Sequence, residues 1–338
     1  MNLIKYLILL LSAAFMAAPS VYAGAQKVCK LQPTMTVLLY PEGQDAPAGL
    51  PESGGPKVSN GITGPEWTDE TGRVGDISDS ARVDIYLPKN CNGQMVVICP
   101  GGGYRYVSAL KEGLHAAEWM TSRGVAVAVV KYRMPNGHWE VPLTDVHNAF
   151  RYCRAHAAEW GVDMIGVMGF SAGGHLAACA STLYVDAATR PDFSILMYPV
   201  ISLDRKYTHQ GTRNNLLGND EFWEDRNRMV DEFMKAQQLH HELLEHYSLQ
   251  NHVTPDTPVT FLAHCTDDAT VPVEHSIMYY TRLNDCGVPV EMHIYPDGGH
   301  GWGFSSEKWR GKGGDKFAYA RAEFDASLER WLEGIRKK

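Results

Sequence analysis

The sequence predicts an α/β fold in which a mainly parallel central sheet has helices on both faces. Strand-like and helix-like segments alternate from residue 81 onward. Residues 95–99 form a continuous apolar run, which is typical of a central strand covered on both faces. With 338 residues and 44% hydrophobic content, the chain can bury a sizeable core. Because parallel strands end at one edge of a sheet, we expect the functional groups at that edge.

The first 23 residues predict a secretory signal peptide. Lys5 precedes an apolar run at 7–16, and small residues lead to Val21-Tyr22-Ala23, an A-x-A-like cleavage site before Gly24. The run is short for a membrane span, and an N-terminal anchor that is never cleaved is the alternative. We therefore expect a secreted or periplasmic protein with no membrane partner after cleavage.

The net charge and the cysteines indicate which partners and cofactors the chain does not bind. Loss of Lys5 with the signal peptide takes the formal net charge from −8 to −9, without blocks of Lys or Arg, which argues against nucleic acid and anionic lipid. All seven cysteines lie beyond residue 23, and an odd number leaves at least one free or paired with another chain. The sequence contains no C-x-x-C pair, so it predicts neither a zinc ribbon nor a thioredoxin-like site, and we expect no metal or other cofactor.

Taken in order, the chain predicts an arm followed by one large domain. Residues 24–80 are rich in Pro and Gly, with one strand at 36–39, and predict an extended arm packed on a domain at 81–338. In that domain, residues 174–180 predict a helix of small residues. Its other predicted elements are strands 81–87, 95–99, 125–130, 164–168, 193–198, 258–263 and 290–295, and helices 111–123, 143–159, 274–284 and 317–335.

One segment interrupts the alternation. Residues 203–251 carry no strand pattern, and 221–247 are charged and helical in character. This position is where such a fold accepts a helical cap-like insertion. We expect the segment to cover the mouth of the site and to select substrates, and a surface excursion far from the site is the alternative.

The pentapeptide Gly169-Phe170-Ser171-Ala172-Gly173 matches G-x-S-x-G, between a predicted strand and a predicted helix. Glycine is needed on both sides because the turn is sharp and the two backbones come close. The pattern predicts Ser171 as a nucleophile above a helix N-terminus. His175, one turn along that helix, points into the body and is interpreted as structural.

A serine needs a base and a group that orients the base. His300 follows the strand at 290–295 and has glycines on both sides, which favours it among 14 histidines. Two adjacent aspartates, Asp267 and Asp268, follow the strand at 258–263. We favour Asp268, because the D-x-x-V-P spacing is common in this position, and keep Asp267 as the alternative.

An oxyanion hole is the remaining requirement. One donor is expected to be the N–H of Ala172, the residue after the nucleophile. Gly102 and Gly103 of a triple-glycine loop after the strand at 95–99 are expected to supply the others. The order Ser171, Asp268, His300 is the order found in α/β-hydrolases.

Five motifs from about residue 80 onward carry a family resemblance. They are Pro100-Gly101-Gly102-Gly103-Tyr104, Lys131-Tyr132-Arg133, Gly169-Phe170-Ser171-Ala172-Gly173-Gly174-His175-Leu176-Ala177, Asp268-Ala269-Thr270-Val271-Pro272 and Gly298-Gly299-His300-Gly301. Together they resemble the α/β-hydrolase esterases of gut and rumen Bacteroidetes known as acetyl xylan esterases. The resemblance implies release of acetyl groups from xylan or its oligosaccharides. Two features depart from the family pattern. Pro100 stands where many lipases have histidine, which leaves the backbone donors of the loop intact, and the insertion at 203–251 is longer than usual.

Three aromatic residues near strand ends, Tyr104, Trp139 and Trp302, can either stack on sugar rings or pack in the core. Related sequences include carboxylesterases, feruloyl-type esterases and exopeptidase-like members. A non-catalytic carbohydrate-binding protein is an alternative from another class. The run His241-Glu242-Leu243-Leu244-Glu245-His246 approaches the H-E-x-x-H zinc motif, but Glu245 occupies the place of the second histidine, so a solvated helix face is the preferred interpretation.

Overall fold

A computed structural model describes residues 31–40, 59–225, 227–304 and 316–337. The predicted signal peptide and Cys29 lie outside these ranges, as does much of the predicted arm. None of the helices in the described ranges is long and apolar enough to cross a membrane.

The described elements alternate largely as predicted. The strands are β1 (Met35–Leu38), β2 (Trp67–Thr68), β3 (Val74–Gly75), β4 (Arg82–Tyr86), β5 (Gln94–Cys99), β6 (Tyr106–Val107), β7 (Ala126–Lys131), β8 (Met164–Phe170), β9 (Phe193–Met197), β10 (Val259–Cys265) and β11 (Val290–Tyr295). The α-helices are α1 (His115–Thr121), α2 (Val141–His156), α3 (Ala172–Thr182), α4 (Gln210–Leu217), α5 (Asp220–Trp223), α6 (Val230–His246), α7 (Glu274–Asp285) and α8 (Arg321–Arg336). A π-helical segment, Ala109–Leu114, leads into α1, and a 3₁₀ turn, Leu249–His252, follows α6.

Eight strands form one sheet in the order β1-β4-β7-β5-β8-β9-β10-β11. The six strands from β7 to β11 in that order are parallel, whereas β1 and β4 make an antiparallel edge. The predicted mainly parallel sheet is thus confirmed. The strand expected at 36–39 is β1, and it is hydrogen-bonded into the main sheet along β4. The remaining short strands, β2, β3 and β6, form a separate small sheet.

The central strand β5 shows that both faces of the sheet are covered. Met95, Val97 and Cys99 belong to one hydrophobic cluster, and Val96 and Ile98 belong to the other. Helices α2, α3 and α7 contribute side chains to the first cluster, and α1 and α8 contribute to the second. The alternation of a strand between two buried faces explains why its sequence is apolar without interruption.

Three predicted helix boundaries are corrected by the structure. The helix expected at 111–123 is a π-helical segment followed by α1, and Glu112 within that segment is buried at the site described below. The helix expected at 143–159 begins at Val141, because Pro142 fits the first turn of a helix, where its missing N–H is no loss. The helix expected from 317 begins at Arg321, after a turn at 316–320.

The interrupting segment at 203–251 holds α4, α5 and α6, followed by most of the 3₁₀ turn. Helix α4 starts at an N-cap, His209, whose side chain accepts a hydrogen bond from the backbone N–H of Thr212. Asn219 caps α5 in the same way through Phe222. Helix α4 with its N-cap, and the α5 N-cap Asn219, border the cleft of the candidate site, whereas no residue of α6 lines that cleft.

Candidate active site

Ser171 lies at a sharp turn between β8 and α3. Its backbone has φ 55° and ψ −122°, a region that L-residues rarely adopt and that marks a strained position. A Cβ on Gly169 would collide with the carbonyl oxygen of Gly173, and a Cβ on Gly173 would collide with that of Cys99. Both flanking glycines are therefore required by close backbone approach, as the sequence predicts.

Ser171, His300 and Asp268 form one hydrogen-bonded chain. The Ser171 Oγ lies 2.8 Å from His300 Nε2, and His300 Nδ1 lies 2.7 Å from Asp268 Oδ2. The three residues follow β8, β11 and β10, whose carboxyl ends share one edge of the sheet. The geometry is that of a nucleophile, its base and the carboxylate that holds the base in the required tautomer.

The Asp268 carboxylate is fixed on its other side. Its Oδ1 accepts hydrogen bonds from the backbone N–H groups of Thr270 and Val271, each at 2.9 Å. His264 Nε2 lies 3.4 Å from Oδ2. Although burial alone would raise the pKa of Asp268, hydrogen bonds from His264, His300 and Val271 hold that pKa well below its usual value. The carboxylate is therefore ionised while it faces the His300 ring.

Asp267, the alternative orienting residue, points elsewhere. Its Oδ1 accepts a hydrogen bond of 2.6 Å from the backbone N–H of Gly299. The structure thus places Asp268 against the imidazole and Asp267 against the loop that carries it.

The loop after β5 brings further donors to the site. Gly102 has φ 134° and Gly103 has φ 64°, and a Cβ on Gly102 would collide with the carbonyl oxygen of Tyr106. Within the described residues, the N–H groups of Gly102, Gly103 and Ala172 donate to no other protein group. Gly102 and Gly103 line the same cleft as Ser171 and His300. Because these three N–H groups have no other acceptor among the described residues, they are available to bind a developing oxyanion.

A buried carboxylate supports both loops. Glu112 Oε2 accepts a hydrogen bond of 2.8 Å from the N–H of Gly101, and its Oε1 accepts one of 3.0 Å from the Tyr198 hydroxyl. The Tyr198 hydroxyl in turn accepts a hydrogen bond of 2.9 Å from the N–H of Gly303, just beyond His300. Burial raises the pKa of Tyr198 well above its usual value, so the phenol remains a donor. The triple-glycine loop and the histidine loop are thereby joined.

The cleft around Ser171 and His300 has a volume of about 960 Å³, and helix α4 with its N-cap forms one wall through His209 and Asn215. The Asn215 side-chain N–H donates a hydrogen bond of 2.8 Å to the carbonyl oxygen of Gly103. The backbone carbonyl of Asn215 accepts a 3.0 Å hydrogen bond from the N–H of Gly137. Asn215 thus ties the triple-glycine loop to the interrupting segment.

His209 is held in a defined tautomer at the same wall. Its Nδ1 accepts a hydrogen bond of 3.2 Å from the N–H of Thr212, so in the neutral ring Nε2 carries the proton. Partial burial, and then the proximity of His300, lower the pKa of His209. A neutral N–H donor therefore lines the same cleft as His300.

Tyr104, Trp139 and Trp302, the three aromatic residues considered for stacking on sugar rings, lie in different surroundings. Tyr104 is 2% exposed, and its hydroxyl bonds to His175 Nδ1 at 2.9 Å. Trp302 is 4% exposed and stacks on Phe317 at 3.9 Å between ring centroids. The interpretation of Tyr104 and Trp302 as sugar-stacking residues is therefore wrong, because both rings are packed in the core. Trp139 is half-buried and lines a second groove.

His175 has the structural position that the sequence predicts. It is fully buried, and its Nε2 lies 2.8 Å from the carbonyl oxygen of Tyr247. The six cysteines in the described ranges are all free thiols. No group of three His, Cys, Asp or Glu residues in those ranges is arranged to hold a metal ion.

Several residues at the site were not singled out from the sequence. Glu112, Tyr198 and the pair His209 and Asn215 reach it from three separate segments, and none of them belongs to a recognisable motif. Of the site residues that the sequence analysis did not name, only His264 could have been found from the sequence. It lies four residues before Asp268, in the strand that leads to it.

The profile of the BD-FAE family matches residues 83–283, more than half of the 338 residues. The chain belongs to the BD-FAE family. This BD-FAE protein is 36% identical over 237 residues to an acetylxylan esterase of Xylanibacter ruminicola, a match that covers 68% of this chain and 46% of that protein. It is 31% identical over 224 residues to endo-1,4-beta-xylanase B of Butyrivibrio fibrisolvens, covering 61% of this chain and 32% of that protein. The chain therefore spans less than half the length of these two relatives.

Among solved structures, the BD-FAE protein is similar to an acetyl ester-xyloside bifunctional hydrolase from Caldicellulosiruptor lactoaceticus. The TM-score is 0.62 at 29% identity, and the match covers 90% of this chain and 98% of that one. The fold is the α/β-hydrolase fold, as the motif order predicts.

Proposed function

We propose that this BD-FAE protein is a serine carboxylic ester hydrolase that removes acetyl groups from xylan or xylo-oligosaccharides. The observation that carries the proposal is the hydrogen-bonded chain from Ser171 Oγ through His300 to Asp268, at 2.8 Å and 2.7 Å. It lies beside three backbone N–H groups that have no acceptor among the described residues, which supports acyl transfer as the chemistry.

In the first half of the reaction, His300 Nε2 accepts the proton of Ser171 as Oγ attacks the ester carbonyl. The carbonyl oxygen takes the negative charge, and the N–H groups of Gly102, Gly103 and Ala172 are the donors proposed to stabilise it. Each such donor is typically worth ~3 kcal/mol of transition-state stabilisation. The imidazolium, stabilised by Asp268, gives its proton to the sugar oxygen as the bond between that oxygen and the acetyl carbon breaks. The sugar departs as an alcohol, and the acetyl group remains on Ser171 Oγ.

In the second half, a water replaces the sugar. His300 takes a proton from the water as the water oxygen attacks the acetyl carbonyl, and the same N–H groups receive the charge. The proton then returns to Ser171 Oγ as acetate leaves. In this cycle every proton passes through His300, which exchanges it with Ser171, the sugar oxygen or the water.

Support for the substrate comes from relatives. The names of an acetylxylan esterase, a xylanase and an acetyl ester-xyloside hydrolase all concern xylose-containing material. An acetylated carbohydrate is therefore the proposed partner. The predicted signal peptide supports secretion or a periplasmic location, where such polymers are encountered.

A hydrolysis panel tests the proposal. The purified protein is offered acetylated xylo-oligosaccharides, feruloyl esters, longer-chain esters and aminoacyl anilides, and released acid or amine is quantified. Release of acetate at the highest kcat/KM is expected. Preferential release of ferulate, of a long acyl chain or of an aniline would overturn the assigned substrate and move the protein to a feruloyl-type esterase, a carboxylesterase or an exopeptidase. Absence of turnover on all of them would favour a binding protein.

A further inference from the structure

A second groove adjoins the cleft of the candidate active site. It has a volume of about 900 Å³ and lies between the turn at 136–140 and helices α4 to α6. Three asparagines, Asn214, Asn215 and Asn219, line both this groove and the cleft that contains Ser171. The two cavities thus share three lining residues on one short stretch of the interrupting segment.

The groove offers aromatic surface. Phe222 is 55% exposed, although it is a large apolar side chain, and the Arg228 guanidinium lies 4.8 Å from its ring centroid. Trp139, which is half-buried and packs against the hydrophobic core, also lines the groove, on the turn that is bonded to Asn215 through Gly137. Arg228 lies over one face of Phe222, and the exposed parts of Phe222 and Trp139 are aromatic surface on which the apolar face of a sugar ring can pack.

Among the lining residues that the structure describes, the charged side chains balance when His138 is counted as neutral. Two carboxylates, Glu140 and Glu232, are matched by two cations, Arg228 and Lys235. The amide NH₂ of Asn214 has no acceptor among the described residues, since only its oxygen is engaged, by Arg213 at 3.1 Å. Balanced charges with amide donors and acceptors favour a neutral ligand with many hydroxyl groups over an anionic or a cationic one.

We propose that this groove is a subsite for the neutral sugar residues that flank the acetylated one, with Trp139 and Phe222 as stacking platforms. The inference rests on the proposed function, because the ester must lie at Ser171 while the chain continues past the three shared asparagines. It adds to that function a preference for oligosaccharides over acetylated monosaccharides. Trp139 and Phe222 are specificity residues here and take no part in bond making.

The test compares substrates of different length. For the unaltered protein, kcat/KM should rise from acetylated xylose to acetylated xylotetraose. Trp139→Ala and Phe222→Ala should each lower kcat/KM on the tetramer by about tenfold, as loss of one aromatic anchor does, and leave kcat/KM on p-nitrophenyl acetate unchanged. Trp139→Phe should restore most of the loss, because it keeps an aromatic face.

Met234→Ala is the matched control. Met234 is 61% exposed on α6 but does not line the groove, so its loss should affect neither substrate. The proposal is overturned if, in both Trp139→Ala and Phe222→Ala, kcat/KM rises from acetylated xylose to acetylated xylotetraose as much as in the unaltered protein.

A binding measurement separates this inference from the proposed function. Unacetylated xylotetraose is titrated into Ser171→Ala and into Ser171→Ala with Trp139→Ala, by calorimetry. Binding that is about tenfold weaker in the second protein supports the subsite even if acetylated xylosides are not the substrate. Equal binding in both proteins, or no binding to the first, overturns the subsite even if acetate release is observed.

Discussion

The Asp267 carboxylate accepts a hydrogen bond of 2.6 Å from the backbone N–H of Gly299, while its neighbour Asp268 lies 2.7 Å from the His300 ring. Two consecutive carboxylates after β10 therefore hold one histidine in different ways. Asp267 contacts the backbone of the loop, and Asp268 contacts the imidazole ring itself. The roles differ although the residue types are identical.

Replacement of the two aspartates by asparagine should separate these roles. Asp268→Asn should lower kcat for p-nitrophenyl acetate by about 10³- to 10⁴-fold, because an amide can favour the wrong imidazole tautomer and cannot stabilise the imidazolium. Asp267→Asn keeps an oxygen that can accept from Gly299 and should cost less than about tenfold. Steady-state kinetics of both variants check this. A larger loss in Asp267→Asn would transfer the orienting role one residue upstream.

The bond from Asn215 to the Gly103 carbonyl gives a second prediction. Asn215→Ala frees the triple-glycine loop, so kcat for p-nitrophenyl acetate should fall by about tenfold with KM changed by less than about twofold, since a displaced donor weakens the transition state more than the ground state. Asn215→Asp should be worse, because it sets a carboxylate against a carbonyl oxygen.

Gln210→Ala is the control for Asn215. Gln210 is an exposed amide on the same helix, outside the cleft, and its removal should leave both constants unchanged. Equal kcat in Asn215→Ala and Gln210→Ala, at matched melting temperature, would show that α4 does not position the loop.

The sequence predicts the fold and the three candidate catalytic residues because their signals lie in short, continuous stretches of the chain. Ser171 and His300 carry local signals, a sharp glycine turn and a glycine-flanked histidine, and each follows a recognisable strand. The choice between Asp267 and Asp268 rested on spacing alone, because both lie in the same loop and only the backbone direction there distinguishes them.

Long-range contacts could not be predicted. Tyr104 and Trp302 lie near strand ends, as a substrate-binding aromatic would, but whether such a ring faces the cleft or the core depends on partners far along the chain, His175 and Phe317. Asn215 likewise meets Gly103 across 112 positions of sequence. No local pattern encodes such a pairing.

Buried histidines predict how stability depends on pH. Burial lowers the pKa of His175 and of His275 from 6.5 to about 4, and His275 Nδ1 accepts hydrogen bonds from the N–H groups of Ile201 and Ser202. Between pH 6.5 and 4 the unfolded chain binds protons at these sites that the folded chain does not. The contribution of these two histidines to the free energy of unfolding is therefore fully present above pH 6.5. It falls as the pH falls, by up to ~1.4 kcal/mol per pH unit for each histidine.

Urea unfolding between pH 4 and 7.5 measures this dependence. His275→Asn should flatten the slope of the unfolding free energy by up to ~1.4 kcal/mol per pH unit below pH 6.5, even though its stability at neutral pH is lower. His293→Asn is the control, because His293 is a half-buried side chain bonded to Glu291 at the sheet edge. An unchanged slope in His275→Asn would contradict the assignment of His275 as a buried neutral acceptor.

The central claim is that Ser171 is the nucleophile. The most direct measurement is kcat/KM of Ser171→Ala for p-nitrophenyl acetate, on protein whose circular dichroism and melting temperature match those of the unaltered chain. We predict a loss of at least about 10³-fold, because the 2.8 Å contact with His300 Nε2 has no function without the serine oxygen. Turnover within about tenfold of the unaltered protein would contradict the account.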